Sequence, residues 1–185
     1  HSYNPNDPNP IYALNPFSMT WENGKRYAIL GPSGCGKTTM LNIVSGLVRP
    51  SAGNILFDDK DVTDLKTESR NIAQVFQFPV IYNTMTVYEN LAFPLKCRDF
   101  LKDKIDERVE SVADILNLQS FLNSPARKLT ADQKQLISLG RGLVREDVAA
   151  VLMDEPLTVI DPDLKFRLRR KLKEINEEFK TTLVY

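Results

Sequence analysis

The sequence contains almost no histidine and little cysteine. Its single histidine is His1, so neither a central catalytic histidine nor a histidine-based metal site is expected in these 185 residues. The two cysteines, Cys35 and Cys97, are too few for a disulfide framework, and a reducing compartment is favoured.

Long apolar runs and net charge are also missing. The longest apolar stretch, residues 148–153, has six residues, whereas a membrane-spanning helix needs about 20. The 24 lysines and arginines balance the 24 aspartates and glutamates, so the basic charge of a dedicated nucleic-acid binder is absent. What is present, 42% apolar residues over 185 positions, indicates one folded domain with a sizeable core.

Short apolar segments alternate with helical patterns along the chain, which predicts an α/β fold. Short apolar runs that end in turns are typical of buried parallel strands. The predicted strands are residues 11–21 (one long strand or a pair), 27–30, 54–57, 72–76, 148–153 and 181–185. Apolar residues three and four positions apart predict a helix over residues 37–47.

The middle of the chain, residues 86–144, is predicted to be mainly helical. Capping boxes pair Thr86 with Glu89 and Thr130 with Gln133. Pro94 is expected to kink or end the first of these helices. Apolar stripes are predicted at Ile105, Val109, Val112, Ala113 and Leu116, and later at Leu164, Leu168, Leu172, Ile175 and Phe179.

The strongest motif is GPSGCGKT at residues 31–38, between a predicted strand and a predicted helix, where a P-loop is found. Its glycines let successive N–H groups point inward, and the helix dipole adds to this anion site. Lys37 is expected to reach the β- and γ-phosphates of ATP, and the Thr38 hydroxyl to hold Mg²⁺. The predicted nucleotide ligands in this loop are Ser33, Gly34, Cys35, Gly36, Lys37, Thr38 and Thr39.

Two adjacent carboxylates follow the apolar run of residues 148–153. An α/β sheet binds ligands at the carboxyl ends of its strands, which is where Asp154 and Glu155 are expected to lie. Because successive side chains of a strand point to opposite faces of the sheet, the two carboxylates are expected to point in different directions. Asp154 is therefore expected to hold Mg²⁺, and Glu155 to polarise an attacking water.

These motifs resemble those of the nucleotide-binding subunits of ABC transporters, and most closely those of carbohydrate-type importers. The resemblance extends over essentially the whole chain. It implies a P-loop NTPase core with a mainly parallel sheet and an antiparallel β edge, formed by residues 1–81 and 145–185. Residues 82–144 then correspond to the family's helical subdomain, inserted into a single ABC ATPase domain of residues 1–185.

The resemblance also implies roles for residues outside the two main motifs. Gln77 resembles the Q-loop glutamine and is expected to ligate Mg²⁺ or its water and to sense the membrane subunit. Asp161 resembles the D-loop aspartate at a dimer interface. Tyr3 falls where the family stacks an aromatic ring on adenine, with Tyr12 as the alternative, although Tyr12 fits a strand position better.

The sequence departs from the family at its Leu-Ser-Gly-Gly-Gln signature, which here corresponds to residues 129–133. Ala131 and Asp132 replace the two glycines, Thr130 preserves the hydroxyl, and Gln133 matches the family. In the family this loop closes on the γ-phosphate held by a partner subunit. We expect the Asp132 carboxylate to turn onto the first-turn amides of its own helix, which leaves backbone N–H groups for the phosphate. The competing hypothesis is that Asp132 opposes dimer closure. A Thr-Ala-Asp signature also resembles that of importers associated with glycerol uptake.

The resemblance implies an ATPase that uses ATP and Mg²⁺ to power solute import of a sugar, polyol or glycerol-type solute. The implied partners are a second nucleotide-binding subunit, identical or different, arranged head to tail, permease subunits, and indirectly an extracytoplasmic solute-binding protein. A cytoplasmic position on the inner face of the membrane is expected, and no nucleic acid. The chain is expected to stop before the family's switch histidine and regulatory domain, and so to be poorly active alone. The alternatives are a nucleotide-binding switch subunit and a soluble ABC ATPase.

Overall fold

The computed structural model describes residues 1–146, 148–157, 160–162, 165–166, 169–170, 172–173, 176 and 181–185. The strands are β1 (Arg26–Tyr27), β2 (Leu56–Phe57), β3 (Lys60–Asp61), β4 (Ile72–Val75), β5 (Ala150–Met153) and β6 (Thr182–Val184). The helices are α1 (Lys37–Ser45), α2 (Val87–Lys96), α3 (Lys102–Ile115) and α4 (Ala131–Leu143), with short 3₁₀ turns at Thr67–Ser69, Gln119–Phe121 and Ala126–Lys128.

Four of the strands form one parallel sheet in the order β1-β6-β5-β4. Strand β5 is central and pairs with β4 from Ala150 opposite Ile72 to Met153 opposite Val75. All the carboxyl ends therefore lie at one edge of the sheet. Strands β2 and β3 form a separate antiparallel pair, joined by a turn in which Asp58 and Asp59 have positive φ.

Alternate residues of the sheet enter two different cores, as the two-residue period of a strand requires. Ala150, Leu152 and Val184 pack with residues of α1 on one face. On the other face, Val75, Val151, Met153 and Leu183 join a larger core shared with α2, α3 and α4. The sheet is thus buried on both faces, which explains why its strands are continuous apolar runs.

Helix α4 approaches both the sheet and its neighbouring helices closely. Two glycines make this possible: a Cβ on Gly142 would lie 2.9 Å from a methyl carbon of Val75, and one on Gly140 would lie 2.6 Å from a methyl carbon of Leu91. Because α4 packs against β4, Gln135 also comes within hydrogen-bonding distance of Phe76, the residue after that strand.

Most predicted elements are confirmed. The α/β class, the parallel sheet, both capping boxes and the stripe from Ile105 to Leu116 are present. Of the later stripe, Leu172 is buried, and Leu164, Leu168, Ile175 and Phe179 lie outside the described residues. The division into a core and a helical subdomain remains a prediction, although α2, α3 and α4 all lie within residues 82–144.

Two predictions are wrong. Residues 11–21 form no strand, because Ala13 and Leu14 donate their N–H groups to the carbonyl oxygen of His1 and lie against the loop at Gly36. Of the two effects expected of Pro94, the end of the helix is wrong, since α2 continues to Lys96, and the kink remains a prediction. The turn around the proline is closed by a hydrogen bond from the Cys97 N–H to the Phe93 carbonyl oxygen.

Candidate functional site

The loop before α1 has the backbone geometry of an anion site. Gly34 and Gly36 adopt φ of 81° and 96°, which only glycine adopts without strain. Gly36 is the N-cap of α1, no side chain of the described residues caps this helix, and its first turn holds no acidic residue. The amino-terminal N–H groups and the positive end of the helix dipole are therefore left for a ligand.

Lys37 brings a positive charge to this loop. Its Nζ donates to the carbonyl oxygens of Gly31 at 2.8 Å and Pro32 at 3.1 Å, which fixes the ammonium against the loop. The Glu155 Oε1 lies 3.9 Å from the same nitrogen. Lys37 thus lies between the loop and the end of β5, where its ammonium can interact electrostatically with an anionic ligand.

Thr38 and Asp154 join α1 to the end of β5. The Thr38 hydroxyl donates to Asp154 Oδ2 at 2.7 Å, and the Asp154 N–H donates to the Val75 carbonyl oxygen at 2.9 Å. A hydroxyl and a carboxylate are hard oxygen donors suited to Mg²⁺. Within the described residues, no three His, Cys, Asp or Glu side chains gather around one point.

Glu155 and Gln77 leave neighbouring strands at the same edge of the sheet. Each lies two residues beyond the last paired position, Met153 in β5 and Val75 in β4. Glu155 has φ of 45°, a left-handed conformation rare for a non-glycine residue, which turns the chain sharply after Asp154. Gln77 is half-buried. Register therefore brings these two predicted residues to one edge of the sheet.

A cavity of about 500 Å³ opens beside the same strand ends. Lys37, Asp154 and Glu155 line it together with basic side chains that include Lys165 and Arg169. Several positive charges around an open cavity next to the loop favour an anionic ligand.

Tyr3 lies beside the first turn of α1. Its hydroxyl is 3.2 Å from Thr39 Oγ1, its ring meets the His1 ring edge-on, and the side chain is 60% exposed. Tyr12 is also exposed and lies outside any strand, so its assignment to a strand is wrong. The predicted stacking of Tyr3 on adenine remains a prediction, and its place next to the loop is compatible with it.

The predicted signature residues form the first turn of α4. Thr130 Oγ1 accepts the Gln133 N–H at 3.3 Å, and Gln133 Oε1 accepts the Thr130 N–H at 3.0 Å. The Asp132 carboxylate makes no hydrogen bond or ion pair with any described residue. The expected contact with its own first-turn amides is therefore absent. This turn also contains Ala131, and the hydrogen bonds of its capping box stay within the turn.

Asp161 is exposed, and its carbonyl oxygen accepts the Lys165 N–H at 2.8 Å. The neighbouring Thr158 and Val159 lie outside the described residues. The expected place of Asp161 at a dimer interface remains a prediction.

Sequence reasoning missed Gln135. This residue is fully buried on α4, and its amide donates to carbonyl oxygens next to both Gln77 and Glu155. A polar residue on the core-facing side of an amphipathic helix was the available signal. The sequence also gave no sign that Ala13 and Leu14 lie against Gly36.

A Gly-rich loop that leads into an uncapped helix, with a lysine at its mouth and a hydroxyl bonded to a strand-end carboxylate, defines a P-loop nucleotide-binding protein. Comparison with known families identifies the branch. Residues 14–158 match the ABC transporter family, and the chain belongs to that family.

Two curated relatives are similar over nearly the whole chain. The trehalose/maltose import ATP-binding protein MalK of Thermococcus litoralis is 41% identical over 181 residues, which cover 95% of this chain and 48% of the relative. The sn-glycerol-3-phosphate import ATP-binding protein UgpC of Pectobacterium atrosepticum is 41% identical over 172 residues, with 93% and 48% covered. The chain thus spans about half the length of these relatives.

Solved structures agree on the fold. The ATP-binding cassette MJ0796, a dimer bound to ADP and Pi in a post-hydrolysis state, superposes with a TM-score of 0.84 at 28% identity. That match covers 96% of this chain and 81% of MJ0796. The protein cbiO1 of Clostridium perfringens, part of the ABC transporter complex cbiONQ, has a TM-score of 0.81 at 28% identity, with 93% and 70% covered. Within the described part of this chain, no helix combines the length and apolarity required to cross a bilayer.

Proposed function

We propose that this chain is the nucleotide-binding part of an ATPase subunit that powers solute import. The observation that carries the proposal is the junction of the loop, α1 and the end of β5, where Lys37, Thr38 and Asp154 converge within hydrogen-bonding distance of the loop or of each other. Membership of the ABC transporter family and the names of the two import relatives give the direction of transport.

In this proposal the loop holds the phosphates of ATP. The amino-terminal N–H groups of α1 and the Lys37 ammonium neutralise their charge. Thr38, Asp154 and the nearby Gln77 supply oxygen ligands for Mg²⁺, which when bound polarises the phosphate oxygens. Tyr3 supplies a ring for the base. The oxygen-rich donor set and the uncapped helix fit both groups.

Glu155 is the proposed general base. Its carboxylate lies at the mouth of the loop, 3.9 Å from Lys37, and its side chain is half exposed, so water can reach it. In this role it orients a water molecule and accepts its proton as the water attacks the terminal phosphorus. Lys37 and the loop amides stabilise the charge that develops on the phosphate.

The proposed assembly is a head-to-tail pair of nucleotide-binding subunits on a permease. MJ0796 is described as a dimer, which supports pairing. Thr130 to Gln133 and Asp161 would then meet the nucleotide held by the partner subunit. The names of the relatives support a sugar or glycerol-type solute. Delivery by a solute-binding protein and a position on the cytoplasmic face of the membrane are further parts of the proposal.

One observation favours a second function, that of a nucleotide-binding switch with little hydrolysis. The Asp132 carboxylate, which has no partner among the described residues, lies at the signature, where it would face a phosphate in the proposed dimer. Like charges about 4 Å apart repel by roughly 1–4 kcal/mol at dielectric constants of about 80 to 20, which would weaken closure.

The test is Glu155→Gln in the full-length protein assembled with its partner subunits. We expect ATP binding to persist and the hydrolysis rate to fall by ~10²–10⁴, the usual contribution of a general base. Steady-state phosphate release and calorimetric titration with ATP measure the two effects. Glu146→Gln, at an exposed carboxylate that pairs with Arg108, is the control.

A Glu155→Gln complex that hydrolyses ATP as fast as the parent would overturn the assignment of Glu155 as the general base. A parent complex that binds ATP without hydrolysing it would favour the switch.

A further inference from the structure

Gln135 connects the two chain segments that carry Gln77 and Glu155. Its side chain on α4 is fully buried, and its Nε2 donates to the carbonyl oxygens of Phe76 at 3.1 Å and Pro156 at 2.9 Å. Phe76 immediately precedes Gln77, and Pro156 immediately follows Glu155. One amide group thus holds the residue next to each predicted functional side chain.

The two hydrogen bonds of Gln135 lie just beyond the end of the sheet. Pairing of β4 and β5 finishes at Val75 and Met153, followed by the bond from the Asp154 N–H to the Val75 carbonyl oxygen. Beyond it, the left-handed Glu155 turns its segment away from the strand direction. Gln135 bridges the two segments past this point, so the separation between them depends on its two hydrogen bonds.

The chemistry of the contact fixes the orientation of the amide. Both neighbours are carbonyl oxygens, which accept hydrogen bonds, so only the NH₂ group can face them. The Oε1 atom is left buried without a partner among the described residues. Because an unpaired buried oxygen is destabilising, packing alone would favour an apolar side chain of similar size here. What the glutamine adds is the pair of donated hydrogen bonds.

The same face of α4 holds the rest of the segment that contains Gln77. Ser138 Oγ accepts the Val80 N–H at 3.2 Å, and Arg141 Nη1 donates to the Val80 carbonyl oxygen at 2.5 Å. Gln135, Ser138 and Arg141 are three residues apart and lie along one side of the helix. Gln77 is therefore flanked by two anchored residues, Phe76 and Val80. Gln135 additionally reaches the segment after β5.

We propose that Gln135 is a positioning residue for ATP hydrolysis. It sets the separation between the segments that carry Gln77 and Glu155 and links both to α4, whose first turn is the proposed signature. This inference rests on the proposed function. It adds that displacement of Gln135 affects the chemical step more than it affects ATP binding.

The test compares two glutamines in the full-length assembled complex. Gln135→Met keeps the size of the side chain and removes its donors. Gln74→Met is the matched control: Gln74 also donates through Nε2, to Asn42 at 2.9 Å, and also has a buried Oε1 without a partner among the described residues. Its side-chain hydrogen bond leads to α1, whereas those of Gln135 lead to the segments that follow β4 and β5. We expect Gln135→Met to lower kcat at least ~10-fold with the Kd for ATP within about twofold, because small displacements of reacting groups are costly. Gln74→Met should change kcat less than about twofold.

A second variant, Gln135→Glu, gives a pH dependence of kcat that loss of packing would not produce. In Gln135→Glu the ionised carboxylate faces two carbonyl oxygens, whereas the protonated form can donate one hydrogen bond. We expect kcat of Gln135→Glu, divided by that of the parent at the same pH and at a temperature where both are folded, to rise as pH falls. The melting temperature of the variant should rise as well, because burial disfavours the ionised carboxylate. Gln135→Glu also tests the positioning role of Gln135 if Gln135→Met does not fold.

The outcomes separate the two proposals. A parent complex that hydrolyses ATP and is silenced by Glu155→Gln supports the proposed function, and Gln135 is then judged separately. Equal kcat losses in Gln135→Met and Gln74→Met, or a flat pH ratio for Gln135→Glu, would overturn the positioning role alone. A parent complex without hydrolysis would overturn both.

Discussion

Helices α1 and α4 begin in opposite ways. Helix α1 starts at a glycine with φ of 96°, with Lys37 as its first residue and no side-chain cap among the described residues. Helix α4 starts at Thr130, whose hydroxyl and partner Gln133 form a reciprocal capping box, with Asp132 in the first turn. The amino-terminal donors of α1 are left for a ligand, whereas the capping box of α4 binds the N–H groups of Thr130 and Gln133.

An uncapped helix end forgoes stabilisation that has to come from elsewhere. Helix α1 obtains it at its opposite end. Arg70, only 3% exposed, donates to the carbonyl oxygens of Ile43 at 2.7 Å and Val44 at 3.0 Å, and burial lowers its pKa. A cation at the carboxyl end of a helix also favours the dipole. The contrast shows that α1 is held at its carboxyl end while its amino end has no side-chain cap among the described residues, which is the arrangement that the proposed phosphate site requires.

The largest effect is expected from Lys37→Ala, which removes the charge at the open end of α1. Hydrogen bonds between charged groups contribute about 1.5–3 kcal/mol, so the Kd for ATP should rise roughly 10- to 100-fold. Calorimetric titration of the full-length protein measures it. Lys60→Ala, on the exposed strand β3, is the control and should leave the Kd unchanged. Equal affinities of Lys37→Ala and the parent would remove the basis for assigning a nucleotide site to α1.

Thr39→Asp makes the start of α1 resemble that of α4. A carboxylate in the first turn stabilises a helix by about 0.3–1 kcal/mol, but it repels a bound phosphate by about 1 kcal/mol or more. We therefore expect slower hydrogen exchange in α1 together with ATP affinity reduced about fivefold or more. Thr39→Asn, similar in size and uncharged, is the matched control. Stability and affinity that change in the same direction would contradict the contrast between the two helices.

Thr130→Val removes the cap of α4. Loss of an N-cap hydroxyl costs about 1 kcal/mol, so hydrogen exchange in the first turn of α4 should become roughly fivefold faster. Thr39→Val is the matched control, because Thr39 lies in the first turn of α1 without capping it. If both substitutions accelerate exchange in their own helices equally, the capping difference does not explain the stability of α4.

The start of both helices could be predicted from local sequence, because capping and P-loop geometry depend on a few adjacent residues. Thr130 with Gln133, and Gly36 with Lys37, are such cases. The path of residues 11–21 could not, because their alternating apolar residues fit a strand only if a partner strand lies alongside. Here their backbone donors bind His1 instead.

The local pattern also predicted that Asp154 and Glu155 end a strand, but not what holds that end in place. The bonds of Gln135 join residues 59 and 21 positions away along the chain. Such contacts depend on how α4 packs against the sheet, which Gly142 permits by its lack of a side chain. The expected contact of Asp132 with its own first turn fails for a similar reason: Gln133 and Thr130 already form the local bonds, and the Asp132 carboxylate has no partner in the described part of the chain.

The smallest expected effect distinguishes the two capping boxes by pH. In α2 the partner of Thr86 is Glu89, and the Thr86 backbone N–H and hydroxyl, both donating to its carboxylate, lower the pKa of Glu89. A lowered folded-state pKa adds stability above the ordinary pKa of about 4.5, and this stability is lost as pH falls through the folded-state value. In α4 the partner Gln133 does not titrate. We therefore expect hydrogen exchange at the start of α2, corrected for intrinsic rates, to accelerate between about pH 5 and pH 3. Glu89→Gln should abolish this change, and Gln133→Glu should create it in α4.

Since the protein as a whole also loses stability in acid, the quantity that decides is the difference in exchange rate between each variant and the parent at the same pH. A parent whose two helices respond alike, with Glu89→Gln indistinguishable from it, would show that the capping carboxylate has no part in the acid response.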